Sequence, residues 1–428
     1  MSEKRNGARH GLYQSGTTAA FISERTMFRI CITFSIAMML SLLAFRLRNP
    51  LAPSPVADFS GLKEHCAHVS PIPTKSFIKR QDLLAKTLHS LGASAYIAEP
   101  GANAGFYANL SGSHWHLSER PLLLIVTPTV DEKGAIRGNI SILTPMFEAT
   151  RARLLPIPSD SEITFPEWPE DMDPYQVALS AISDLDDGTI FVDGSTRQFV
   201  VDGLQKAAGG GSKVVSAPVE IRRLRERKSK EELNILKCAN EVTILAIREA
   251  RRRMHIGMKE SEARSLVRTA LSAAGLENLD SITLFGPDAA LPHGTGTNRE
   301  LQKTDFVLID CGGSLHGYYS DVTRTFALPG SEIPADHLAI WYLVFAAQSA
   351  AIETAKNGTI TAEVDRAARR TIHAQGYGKY FTHRLGHGIG LEVHESPYLR
   401  GGSEDVILTG HTFSDEPGVY IEGQVCRQ

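Results

Sequence analysis

The stretch DFVLIDCGGSLHGYYSDVTRTF (305–326) carries two aspartates, Asp310 and Asp321, on either side of a glycine-bearing reversal. The apolar run before Asp310 reads as a strand buried on both faces. Gly312, Gly313 and Gly317 let the chain turn back on itself. A hairpin symmetric about Leu315 and His316 puts Asp310 opposite Asp321, with Cβ atoms ~5 Å apart. Two carboxylates that close repel unless a cation or a proton lies between them. Hard oxygen ligands on a rigid hairpin suit a divalent metal. The plainer alternative is two aspartates paired with Arg324 and its neighbours.

Imidazoles strengthen the metal reading. HRLGHGIGLEVHE (383–395) holds His383, His387 and His394. Four-residue spacing of the first two would make a zinc pair on a helix, but Gly386, Gly388 and Gly390 argue against a helix. In a regular strand His387 and His394 would face opposite ways, so the glycines must bend the backbone if both are to reach one site. A further candidate carboxylate, Glu416, stands in the apolar segment FSDEPGVYIEG (413–423).

These residues carry a resemblance. LPHGTGTNREL, VLIDCGGSLHGYYSDVTRTF, HRLGHGIGLEVHE and TFSDEPGVYIEG occur in this order, and the second half of the chain resembles the creatinase/methionine aminopeptidase ("pita-bread") superfamily on its aminopeptidase P and prolidase branch. The first half resembles that branch's N-terminal domain more weakly, and together the resemblance covers about 76–428. It implies a metallopeptidase that hydrolyses Xaa-Pro bonds in proline-containing peptides or dipeptides with two divalent ions, manganese foremost and cobalt or zinc as alternatives. It further implies that Asp310 chelates one ion, that Asp321 bridges both, and that His387 and Glu416 hold the other. His293 would sit near the scissile carbonyl, His394 would assist the substrate and intermediate, Glu416 would carry a proton, and His383 would line the proline pocket. The family pattern continues with a strand reading roughly G-V-R-x-E-D that brings a fifth ligand. Here EGQVCRQ closes the sequence, and Glu422 lies too near Glu416 to serve. The resemblance therefore leads to the expectation of a pita-bread domain lacking its last strand. A binding module that keeps the fold without chemistry, a pseudo-peptidase, is the competing reading.

The elements that must position these residues follow from periodicity. Helical spacing over 80–92, strands at 93–100, 120–128, 138–145 and 189–194, and a helix around 195–208 describe an α/β N-terminal creatinase-like domain at 76–216. A capping box at Ser229 and Glu232 opens a helix reaching about Arg253. Another helix covers about 260–274. Strands at SITLF, FVLID and DVTRTFAL and helices near 336–356 and 362–375 complete an α+β catalytic domain at 217–428.

Over 428 residues, 42% hydrophobic and 22% charged content is that of a globular chain long enough for two domains. A formal charge of -3 offers no basic face for nucleic acid. The five cysteines have no zinc spacing and suggest no disulfide framework. The uncharged run at 30–45 lies between Arg29 and Arg46 and reads as a membrane anchor. It implies a cytosolic tail at 1–29, a Pro- and Ser-bearing stalk at 46–75, and a single-pass protein with its catalytic part lumenal or extracellular. A homodimer is among the assemblies to be expected.

Overall fold

The computed structural model describes residues 58–428 apart from positions 184, 186, 187, 424 and 428. The first half contains α1 (Thr74–Ser90), β1 (Ala93–Ala98), α2 (Ala102–Ala108), β2 (Leu123–Val130), β3 (Ile136–Pro145), α3 (Ala149–Ala152), β4 (Glu167–Trp168), α4 (Pro174–Ser180), β5 (Thr189–Val192), α5 (Gln198–Ala208) and β6 (Lys213–Ser216). Its six strands run in the order β4-β3-β2-β1-β5-β6, antiparallel at β1–β2 and β2–β3 and otherwise parallel. β2 shows why this sheet needs cover on both sides. Leu124 and Val126 enter one core with Tyr96 and Trp115, and Leu123 and Ile125 enter the other with Trp168 and Val192. A strand sends successive side chains to opposite faces, so a run that is apolar throughout is stable only between two layers.

α6 (Val219–Glu226) leads to α7 (Lys230–Arg251), whose N-terminus is closed by the Ser229/Glu232 capping box. α8 (Glu260–Ala273) stops before Gly275, whose φ of 81° ends the helix. β7 (Glu277–Phe285), β8 (Val307–Leu315), β9 (Tyr318–Tyr319) and β10 (Val322–Phe326) form an antiparallel sheet with β8 between β7 and β10. α9 (Ala335–Thr354) and α10 (Thr361–Ala374) share a core that includes Val344, Ile372, Leu385, Leu399 and Val419 with the region of β11 (Gly386–Gly388), β12 (Glu395–Leu399) and β13 (Val419–Ile421).

The hairpin register differs from the expected one. Asp310 pairs with Thr323, and Leu315 pairs with Tyr318 across the two-residue turn His316-Gly317. Both turn residues have positive φ, 49° and 84°, which a tight two-residue hairpin of the right twist requires. Glycine at the second position moves the turn centre one residue beyond the expected place. Asp321 is thereby diagonal to Asp310, on the same face, instead of opposite it. The expectation that no strand follows the Glu416 segment's own is also corrected, because β13 pairs with a following strand, β14 (Val425–Arg427), through Ile421 and Val425.

The anchor expected at 30–45 and the tail at 1–29 lie outside the described residues. Among the described residues no helix is long and apolar enough to cross a membrane. A 16-residue run at ~1.5 Å per residue reaches only ~24 Å of a ~30 Å hydrocarbon core. This finding corrects the single-pass membrane placement and the lumenal or extracellular location that rests on it. Within the segment expected as a stalk, Phe59 and Leu62 are buried, Arg253 lies over the Phe59 ring, and Cys66 forms a disulfide with Cys238 on α7. Cysteines 172 residues apart leave no spacing pattern in a sequence, which is why the pairing was not foreseen.

Candidate active site

β8 is held by ladders on both edges, and it sets Asp310 opposite Ile282 of β7 and Thr323 of β10. Asp321 sits in the break between β9 and β10. Gly312 is needed at this point, since a Cβ there would lie 1.9 Å from the Ser320 carbonyl oxygen. That close approach lets the two aspartates share one concave face.

His387 arrives from β11. Its backbone N–H donates to Ser414 Oγ at 3.0 Å, and Ser414 N–H donates back to the His387 carbonyl at 2.8 Å. Nδ1 lies 3.0 Å from the Gly388 carbonyl, which can only accept, so this nitrogen carries a proton. Nε2 is thereby aimed at Glu416 Oε1 (3.0 Å) and Asp321 Oδ2 (3.3 Å). Glu416 is fixed by its own N–H donating to the Leu385 carbonyl at 2.9 Å and by the Ser414 hydroxyl donating to Oε1 at 2.7 Å. A cavity of about 590 Å³ is lined by all seven residues singled out from the sequence: His293, Asp310, Asp321, His383, His387, His394 and Glu416.

The electrostatics are those of crowded anions. Burial, with Asp321 and then Glu416 nearby, pushes the Asp310 carboxyl up to about 6. Burial alone would lower the His387 imidazole, but hydrogen bonds to Asp321 and Glu416 raise it to about 9. Burial works against charge on Glu416, yet His387 and Ser414 hold its carboxyl below the ordinary value. A cation at Nε2 would relieve the repulsion among these carboxylates. A histidine whose Nδ1–H is pinned to a carbonyl presents its Nε2 lone pair as a metal donor. Carboxylate oxygens beside such a nitrogen suit manganese or zinc. The residues present therefore fit a divalent metal centre.

Asp321, His387 and His394 form a donor group whose ligand-type atoms lie within 4.8 Å of one another, and neither Asp310 nor Glu416 belongs to it. The His387 and His394 rings meet edge to face at 4.3 Å between centroids, so the glycine-hinged backbone does bring both imidazoles to one place. Burial and the neighbouring His387 lower the His394 imidazole. His383 lies apart. Its Nδ1–H donates to the Arg384 carbonyl at 2.7 Å, and Nε2 lies 2.9 Å from the Tyr420 hydroxyl. Burial lowers its basicity. His293, at φ 56°, caps a loop anchored by buried Glu260, which accepts from Phe285 N–H and Asn298 N–H at 2.9 Å each.

Sequence reasoning missed Tyr420, Asp280 and Ser414. Tyr420 stands on β13, whereas Glu416 precedes that strand in a segment without regular structure, so no periodicity links the two. Asp280 of β7 also lines the cavity, with Oδ1 engaged by Ser281 N–H at 2.8 Å. Glu422 is exposed and does not line it.

Comparisons with known proteins give the family. The profile of metallopeptidase family M24 matches residues 234–427. An uncharacterized peptidase of Schizosaccharomyces pombe is 36% identical over 359 residues, which cover 83% of this chain and 78% of that protein. A Xaa-Pro dipeptidase of Pyrococcus furiosus is 38% identical over 203 residues, 47% of this chain and 58% of the relative, so the match spans little more than half of that enzyme. Among solved structures, dipeptidase PepE from Mycobacterium ulcerans superposes with a TM-score of 0.74 at 28% identity, over 83% of this chain and 92% of its own.

Proposed function

The chain belongs to metallopeptidase family M24, and we propose that it is an exopeptidase hydrolysing the bond before proline in short peptides with the help of two divalent ions. The observation that carries this reading is the convergence of Asp321, Glu416 and the Nε2 of His387 within 3.3 Å, beside a raised Asp310 carboxyl, in one cavity. Asp310, Asp321, His387 and Glu416 would hold the ions, with manganese the first choice and cobalt or zinc as alternatives. Bound there, such a pair supplies Lewis acidity and a water of lowered pKa.

The chain's own residues supply the rest. Glu416, kept ionised by His387 and Ser414, can take a proton at its carboxylate and pass it to the leaving nitrogen. His394, whose basicity is lowered, can offer an N–H to a carbonyl oxygen without bringing a second positive charge. His293 lines the same cavity. A proline imide has no N–H, so its subsite must fit a ring in place of a donated hydrogen bond. Ile282, Leu284, Ala289 and Leu308 line the cavity near Tyr420 and His383, and they offer such an apolar surface. Against a binding module without chemistry, repelling carboxylates cost stability and are useful when a cation sits between them.

The test is turnover of Xaa-Pro dipeptides by the manganese-loaded chain, with His387→Ala and Asp321→Asn as variants. Loss of bound metal together with a rate loss of at least about 100-fold is expected for either. Turnover that survives chelation, or equal turnover of a dipeptide without proline, would refute the proposal.

A further inference from the structure

Between β11 and β12 the segment from Ile389 to His394 forms a tight loop, and its fixings come from several distant parts of the chain. Gly390 N–H donates to the Glu392 carbonyl at 3.0 Å within the loop, and Tyr319 N–H donates to the Gly390 carbonyl at 2.8 Å. Leu391 packs against the core of the six-stranded sheet. Glu392 and Glu395 flank His394 and reach the same guanidinium. Buried Arg225 of α6 pairs through Nη2 with Glu392 and, at 3.1 Å, with Glu395 Oε2. Lys228, also buried, pairs with Glu395 Oε1 and donates to the Glu226 carbonyl at 3.1 Å. A Cβ at Gly390 would lie 2.8 Å from Glu395 Oε1 and 2.9 Å from Lys228 Cε, so the loop closes directly onto this ion pair.

The chain of contacts continues into the first sheet. Arg225 Nη1 donates to Asn103 Oδ1 at 3.0 Å, and Asn103 Nδ2 donates to Asp193 Oδ1 at 2.6 Å. Asp193 is buried just past the end of β5, and Asn103 lies on α2. A guanidinium has its donors in a fixed planar fork, so hydrogen bonds to Asn103 from one nitrogen and to Glu392 from the other transmit orientation, while Glu395 Oε2, which accepts no hydrogen bond, is held by charge.

We propose that Arg225 is a positioning residue for His394, clamping the carboxylates on either side of that imidazole and tying their place to the end of the six-stranded sheet through Asn103 and Asp193. This rests on the reading of His394 as part of the peptidase site. The first half of the chain then serves the chemistry, since it holds one wall of the cavity in register with the metal ligands. Displacing a catalytic group by about 1 Å can cost about 100-fold in rate, which sets the size of the effect to look for.

The experiment uses the full manganese-loaded chain, an Xaa-Pro dipeptide, and the variants Arg225→Met, Arg225→Lys and Asn103→Ala. Arg223→Met, on the same helix and turned to solvent, is the control. Arg225→Met leaves Glu395 paired with Lys228 and Glu392 half exposed to water, so folding should survive. Expected are a kcat loss of about 10- to 100-fold, bound manganese and KM within about threefold of the parent, and partial rescue by lysine. In a His394→Ala background the same change should cost less than about threefold, because the route by which it acts is already gone. Hydrogen exchange should quicken at 389–395 and stay unchanged across β8. Equal losses with and without His394, or unaltered exchange at 389–395, would overturn the proposal. A parent without turnover would count against the Xaa-Pro reading alone, and exchange at 389–395 would still decide whether Arg225 holds the loop.

Discussion

Replacing Asp310 with asparagine should stabilise the metal-free protein at neutral pH while destroying its metal centre. In the folded chain the carboxyl titrates at about 6 against an ordinary 3.8, first because it is buried and then because Asp321 and Glu416 face it. At about 1.36 kcal/mol per pH unit, that gap corresponds to about 3 kcal/mol. The sign follows from proton affinity. The folded state binds this proton more tightly than the unfolded state does, so stability is greatest below about pH 4, declines as pH rises to about 6, and stays reduced above that. Asparagine carries no charge at any pH and can still accept from Thr323, the cross-strand partner. Urea unfolding of chelator-dialysed parent and variant should therefore favour Asp310→Asn by about 3 kcal/mol near pH 7.5, and by less than about 1 kcal/mol near pH 4. With manganese at 100 times its Kd the parent gains about 2.7 kcal/mol that the variant cannot, and the advantage largely disappears. An asparagine variant no more stable than the parent near pH 7.5, or one equally favoured at both pH values, would refute the reasoning.

Two further expectations concern the scaffold. The Cys66–Cys238 disulfide closes 172 residues, for which chain entropy alone gives about 5 kcal/mol as an upper value, so Cys66→Ser/Cys238→Ser should lower the denaturant midpoint. A non-reducing digest that yields the two peptides separately would show that the bridge does not form. Gly312→Ala places a Cβ 1.9 Å from the Ser320 carbonyl and should cost about 1–3 kcal/mol together with manganese affinity, measured by thermal unfolding and by elemental analysis. Unchanged metal content in that variant would mean that the close approach between the two aspartates is not what shapes the site.

Local rules made much of the chain legible in the sequence. The Ser229/Glu232 box marks the start of α7, and Gly275 follows the end of α8. FVLI, SITLF and PLLLIVTP announce strands because apolar runs of that length need cover on both faces. Candidate donors could also be named, because Asp310, Asp321, His387 and His394 are chemically unusual beside glycines and apolar runs, and the family resemblance added Glu416. Tertiary structure decided how they meet. Asp310 and Asp321 are diagonal because His316 and Gly317 are the residues that take positive φ, a choice that depends on the twist of the whole hairpin. Tyr420 reaches His383 across 37 positions, Arg225 reaches Glu392 across 167, and Cys66 reaches Cys238 across 172. Such partners have no common periodicity and no local signature. Their proximity follows from how sheets and helices stack, and stacking is set by the sum of many weak contacts that no short stretch of sequence contains.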